Sequence, residues 1–135
     1  MIISRAAEYG LIAVGYIALH QKERELNAKV ISKEFNISLM FLRKALSDLT
    51  KAGILLSKRG PFGGYVLAKE PEKISLLEIV QAMEEFTYDL LNFVEDTSNE
   101  PFLVRMNGVS NKANSEIKRV LSEANLAEMI GSKKK

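Results

Sequence analysis

The side chains able to do chemistry in this chain are few and unevenly placed. Its 135 residues include one histidine, His20, and no cysteine, which removes disulfides, thiol nucleophiles and cysteine-ligated metal centres. No phosphate-cradling glycine loop and no nucleophile elbow occurs, so no catalytic constellation can be assigned and no enzyme activity or cofactor is expected. A single imidazole with neither a thiol nor an acidic cluster beside it reads as a surface or capping residue rather than a ligand. What remains is a concentration of cations. Between Ala28 and Leu67 lie Lys29, Lys33, Arg43, Lys44, Lys51, Lys58 and Arg59 against only Glu34 and Asp48, a net of +5 in a chain whose total is +2. The rest is therefore net acidic. Guanidinium and ammonium groups donate to phosphate oxygens, and Arg also donates bidentately to the edge of guanine. A basic stripe confined in this way is the electrostatic footprint of a surface that docks in a nucleic-acid groove.

The elements around these cations are legible from apolar spacing. Ala28 to Phe35 mixes Val30, Ile31 and Phe35 with Lys29, Ser32, Lys33 and Glu34, a short amphipathic helix that Asn36 breaks. Ser38 stands at an N-cap position before Leu39, Leu42, Ala45, Leu46 and Leu49, a second helix that stops at Ala52-Gly53. Its apolar side leaves Met40, Arg43, Lys44 and Ser47 outward. Ile54 to Ser57 and Tyr65 to Ala68 read as short strands, joined by the basic, glycine-rich loop Lys58-Arg59-Gly60-Pro61-Phe62-Gly63-Gly64. The glycines are expected to supply positive-φ turns and close backbone approach. Helix, turn, helix and basic hairpin make a winged helix-turn-helix.

The hairpin sequence Ala52-Gly53-Ile54-Leu55 followed by Ser57-Lys58-Arg59-Gly60-Pro61-Phe62-Gly63-Gly64-Tyr65-Val66-Leu67-Ala68 resembles the wing of the Rrf-type winged-helix bacterial transcriptional regulators (IscR/NsrR/CymR-like). Ile37-Ser38 with Phe41-Leu42 and Leu46 is similar to that family's recognition helix, Ser4-Arg5 with Tyr9-Gly10-Leu11 to its first helix, and Ile74 to Val80 to the helix after the wing. The resemblance covers about the first two thirds of the chain. It implies a sequence-specific DNA-binding regulator, a repressor, working on double-stranded DNA. The residues it places on DNA are Ser38, Met40, Phe41, Arg43, Lys44 and Ser47 from the helix, and Lys58, Arg59, Gly60, Pro61, Gly63 and Gly64 from the wing, with Arg59 in the minor groove. Three positions depart from the family's habit: Phe41 replaces a common Tyr, Arg43 an often acidic residue, and Phe62 a small one. An operator cannot be borrowed from a relative, because a carboxylate accepts from cytosine whereas a guanidinium donates to guanine.

The expected fold is mainly α: a winged domain over residues 1–85, a variable loop region over 86–109, a long dimerisation helix over 110–130 and a tail over 131–135. Ser4 to about Gln21 is an apolar, largely buried helix in which Gly10 and Gly15 point to close neighbours. Glu70 to Lys73, with Pro71, is a polar connector, and Ser75 with Glu78 forms a capping box ahead of Ile79 and Val80. From about Ser110 an apolar stripe at Ala113, Ile117, Val120, Leu121 and Ala124 recurs at helical spacing. Ile117, Val120, Leu121 and Ala124 are expected to pair two copies into a homodimer, the alternative being an intramolecular core helix. Cluster-bearing relatives hold iron through three cysteines between the post-wing helix and the dimer helix. This chain has none there, and Glu8, similar to an acidic ligand of one branch, does not replace sulfur. Asp89, Glu95, Asp96 and Glu100 are scattered oxygen donors that read as solvated surface. Regulation without an iron-sulfur cluster is therefore expected, the signal entering through a small-molecule effector or a partner protein. The other readings are a winged helix serving protein interaction or RNA binding. No spanning segment or leader is visible, and a cytoplasmic location is expected.

Overall fold

Ser4 opens the first helix, α1 (Arg5–His20), by accepting a hydrogen bond from the backbone N–H of Ala7 at 3.1 Å. In this computed structural model residues 4–21, 26–59, 63–83 and 100–131 are described. Ala7, Gly10, Ala13, Val14, Ile17 and Ala18 of α1 are buried, as its sequence requires. Gly10 does meet a close neighbour: a Cβ there would lie 3.0 Å from Met83 Sδ. Gly15 does not, since it faces open space.

Helix α2 (Ala28–Phe35) starts at Asn27, whose Oδ1 accepts from Val30 N–H at 2.9 Å, and ends at Asn36 with φ 52°. The left-handed residue reverses the chain in three residues. Ile37 is thereby dropped into the core, and Ser32 locks the turn by donating its Oγ–H to Ile37 O at 2.6 Å. Helix α3 (Leu39–Lys51) follows, burying Leu42, Ala45, Leu46 and Leu49. Gly53 then turns at φ +80°, where a side chain is disfavoured.

Strands β1 (Leu55–Lys58) and β2 (Gly64–Leu67) form an antiparallel pair with Leu55 opposite Leu67 and Lys58 opposite Gly64. Each lies one residue closer to the loop than the apolar runs suggest; Ile54, buried just before β1, still accepts a hydrogen bond from Ala68 N–H at 2.9 Å. Tyr65 N–H also donates to Leu26 O at 2.9 Å, so the segment before α2 forms a bridge to the wing. A 3-10 turn, Pro71–Lys73, leads to α4 (Leu76–Met83). Its capping box is present: Ser75 N–H donates to Glu78 Oε2 at 2.9 Å and Glu78 N–H to Ser75 Oγ at 3.1 Å. Lys69, just past the wing, donates to the other Glu78 oxygen at 2.6 Å. Burial pushes the Glu78 carboxyl up, but the bonds from Lys69 and Ser75 outweigh it and hold the group below the usual carboxylate range.

The last long helix corrects the expected boundaries. Helix α5 (Pro101–Glu123) begins nine residues ahead of Ser110, so residues 101–109 are helix rather than loop; residues 86–99 lie outside the described residues. Pro101 suits a first helical turn, where its missing N–H costs nothing. Asn107 and Gly108, weak helix formers, sit exposed within a helix long enough to absorb about 1 kcal/mol for the glycine. The helix also stops before residue 130. Ala124 is extended, and Asn125 starts a short α6 (Leu126–Met129) through its own capping box with Glu128. Leu76 N–H donates to Ala124 O at 2.9 Å and Leu126 N–H to Ile74 O at 2.8 Å, which buries Leu126 and Ala127 against the winged domain.

One core joins these parts, with Val14, Ile17, Ile31, Leu42, Leu46, Leu49, Ile54, Leu55, Ile74, Ile79 and Leu126 all fully buried. A smaller cluster of Ala7 and Val80 is covered by Leu11, Leu77, Met83, Ile117 and Leu121.

Candidate nucleic-acid interface

Helix α3 divides cleanly into two sides. With 3.6 residues per turn, Met40, Lys44, Ser47 and Lys51 fall on one outward line, flanked by Arg43 on one side and Phe41 on the other. Met40, Phe41, Arg43, Lys44 and Lys51 are exposed and Ser47 is half-buried. Ser38 occupies the N-cap position as expected, but its side chain makes no capping hydrogen bond, and the first turn carries no acidic residue. The helix thus presents unneutralised N–H dipoles at its first turn. Lys44 is different from Arg43. Its ammonium is held by both Asp48 oxygens at 3.0 Å, so part of its charge is spent within the helix.

Arg43 instead opens onto the wing. A cleft of about 440 Å³ is lined by Arg43 from α3, Ser57, Lys58, Arg59, Gly63, Gly64 and Tyr65 from the hairpin, and Asn27 and Ala28 from the start of α2. Arg59 is exposed at the hairpin's outer end. Gly60, Pro61 and Phe62 lie outside the described residues. Gly64 is indispensable for a reason other than a positive φ: a Cβ there would sit 2.6 Å from Leu26 O and 2.7 Å from Leu26 C. The backbone before α2 can therefore press against β2, which brings Asn27 and Ala28 beside the wing. Five expected residues, Arg43, Lys58, Arg59, Gly63 and Gly64, come together in this cleft. Asn27, Ala28, Ser57 and Tyr65, which the sequence does not mark as DNA contacts, join them. Asn27 before an apolar-periodic run is an N-cap signal, whereas nothing local marks the bridge that the preceding Leu26 makes to Tyr65 of the wing.

The residues expected to pair subunits do not share one surroundings. Ile117 and Leu121 pack half-buried against the cluster of Ala7 and Val80, Val120 is exposed, and Ala124 follows the helix end. Beside Val120, at offsets of whole turns, Phe102, Met106 and Val109 are also exposed, which extends the apolar stripe along α5. Arg119 binds Glu116 and Glu123 alongside it and holds the Glu116 carboxyl below its usual range.

His20 is half-buried with its ring 4.4 Å from that of Tyr16, which in turn meets Phe35 edge-on at 5.1 Å. The imidazole is thus an aromatic packing element.

Residues 3–132 match the Rrf2 family, described as iron-dependent transcriptional regulators. The chain belongs to the Rrf2 family. IscR of Aliivibrio salmonicida (strain LFI1238) is 35% identical over 85 residues, 63% of this chain and 51% of that protein. Among solved structures, CymR, the global cysteine regulator of B. subtilis, superposes with a TM-score of 0.82 at 26% identity, covering 99% of each chain. T. potens IscR does so with a TM-score of 0.79 at 30% identity, covering 97% of this chain and 87% of that one. The sequence matches span only 51% to 64% of the length of the first curated relatives. The Rrf2 family comprises transcriptional regulators with a winged helix-turn-helix fold, not enzymes.

Iron in the family's description invites a test of the donors. They do not fit a thiolate-held cluster: the sequence has no cysteine, and among the described residues no three histidine or carboxylate side chains converge on a metal position. Glu8 is exposed and paired with Arg5 at 3.6 Å.

Proposed function

We propose that this chain is a sequence-specific regulator of transcription that binds double-stranded DNA as a homodimer, acts as a repressor, and works without an iron-sulfur cluster. The observation that carries the reading is the cleft where Arg43, Lys58 and Arg59 converge between the recognition helix and the wing, within a segment of net charge +5. Cations placed on both a helix and a hairpin suit simultaneous contact with the major groove and the flanking minor groove. Pairing of two copies is supported by the exposed apolar stripe of Phe102, Met106, Val109 and Val120 on α5, since a single subunit reads too few base pairs for an operator and two-fold pairing doubles the contact. The absence of thiolates favours a signal delivered by a small molecule or a partner protein. Among the described residues no helix is long and apolar enough to cross a membrane, which suits a cytoplasmic regulator.

Selection of bound sequences from a random duplex pool tests this. The expected result is one motif with two related half-sites, bound in a complex of two chains by sedimentation. Recovery of unenriched sequence, or preference for single-stranded RNA, would contradict the reading.

A further inference from the structure

Met40 is 71% exposed and Phe41 55% exposed, both in the first turn of α3. Single exposed apolar side chains are common on protein surfaces and by themselves say little. Here the location adds the information. Met40 heads the outward line that continues through Lys44, Ser47 and Lys51, with Arg43 beside it, so an apolar tip stands at the N-terminal end of a basic helix face. Cations around it favour a polyanion and disfavour an apolar protein groove, whose approach would leave Arg43 and Lys51 desolvated without partners. A duplex meets both demands, because the major-groove floor has one apolar feature, the C5-methyl group of thymine.

Resting on the DNA-binding reading above, we propose that Met40 and Phe41 form an apolar reading edge for thymine methyl groups, with Arg43 as the neighbouring hydrogen-bond donor. Met40 has an unbranched, polarizable side chain that adapts to a methyl group approaching from several angles. Phe41, on the flank opposite Arg43, offers a flat apolar edge to the adjacent step. The half-site contacted by the first turn of α3 therefore contains thymine, on either strand, where Met40 points.

Deoxyuridine differs from thymine in the groove only by that methyl group. The test takes the best duplex recovered by selection, replaces each thymine in turn with deoxyuridine, and measures affinity by fluorescence anisotropy for the wild-type chain, Met40→Ala and Met40→Leu. Loss of one buried methyl contact predicts about fourfold weaker binding at one or two positions in each half-site for the wild type. Met40→Ala is expected to bind the thymine duplex about as weakly as the wild type binds the duplex with deoxyuridine at the Met40 position, and to be indifferent to the replacement there. Met40→Leu is expected to keep the discrimination. Equal binding of both duplexes at every position by the wild type overturns the proposal, as does a methyl preference that survives in Met40→Ala at every position where the wild type shows one. If no duplex is enriched at all, the DNA-binding reading beneath it has failed instead.

Discussion

Replacing Gly64 with alanine should separate two elements that form the cleft between α3 and the wing. The added Cβ would stand 2.6 Å from Leu26 O, and ordinary contact begins at 3.4 Å, so the two backbones must part by about 0.8 Å. The Tyr65 N–H to Leu26 O bond, now 2.9 Å, would stretch beyond hydrogen-bonding distance. Overpacking costs about 1 to 3 kcal/mol and the lost bond about 1 kcal/mol more, for a total of roughly 2 to 4 kcal/mol. In a domain of this size that corresponds to a Tm lowered by about 4 °C per kcal/mol. Gly53→Ala is the control. It meets open space at φ +80°, so it should cost only about 1 to 2 kcal/mol of backbone strain. Urea unfolding of both variants and duplex affinity below their transitions measure the two effects. Gly64→Ala should also weaken binding, because Asn27 and the wing share the cleft, while Gly53→Ala should not. A Gly64→Ala midpoint within about 0.5 kcal/mol of wild type would refute the close approach.

Three further outcomes follow from other parts of the molecule. Arg59→Ala should leave the unfolding transition unchanged and weaken duplex binding by about 1 to 3 kcal/mol, read by anisotropy at fixed salt. Val120→Lys, on the exposed stripe, should give folded monomers by sedimentation, whereas Leu121→Lys should lower thermal stability because Leu121 also covers Val80. Glu78 has a depressed folded pKa, so its contribution is full above its ordinary value of 4.5 and is lost as pH falls through the lower folded value. The pair with Lys69 is more than a third exposed, so solvent screening limits it to about 0.5 kcal/mol. Urea midpoints between pH 3 and 7 should fall less steeply on acidification in Glu78→Gln.

Local pattern makes the helix-turn-helix and hairpin readable before any coordinates. The apolar spacing of Leu42, Leu46 and Leu49 and the stop at Gly53 are physical demands of a half-buried helix, and the Ser75–Glu78 capping box is complete within four residues. What escaped the pattern is non-local or weakly encoded. The bridge from Leu26 to Tyr65 joins segments nearly forty residues apart, and the docking of α6 depends on backbone bonds from Ile74 and Leu76. Asn107 and Gly108 masked the first turns of α5 because helix length and an N-terminal proline outweigh two poor formers. Spacing alone likewise makes the apolar stripe of α5 one face, whereas Ile117 and Leu121 turn inward and Val120 outward, positions only a packed neighbour can separate.

The salt dependence of operator binding examines the cleft's role most directly. Anisotropy titrations across a range of salt should give a linear fall of log affinity with log salt, at about 0.9 per phosphate neutralised. Lys58→Ala removes one cation per chain and, for the proposed dimer, should reduce that slope by about two. A flat response in the wild type, or a slope that Lys58→Ala and Arg59→Ala leave untouched, would contradict a duplex held between the recognition helix and the wing.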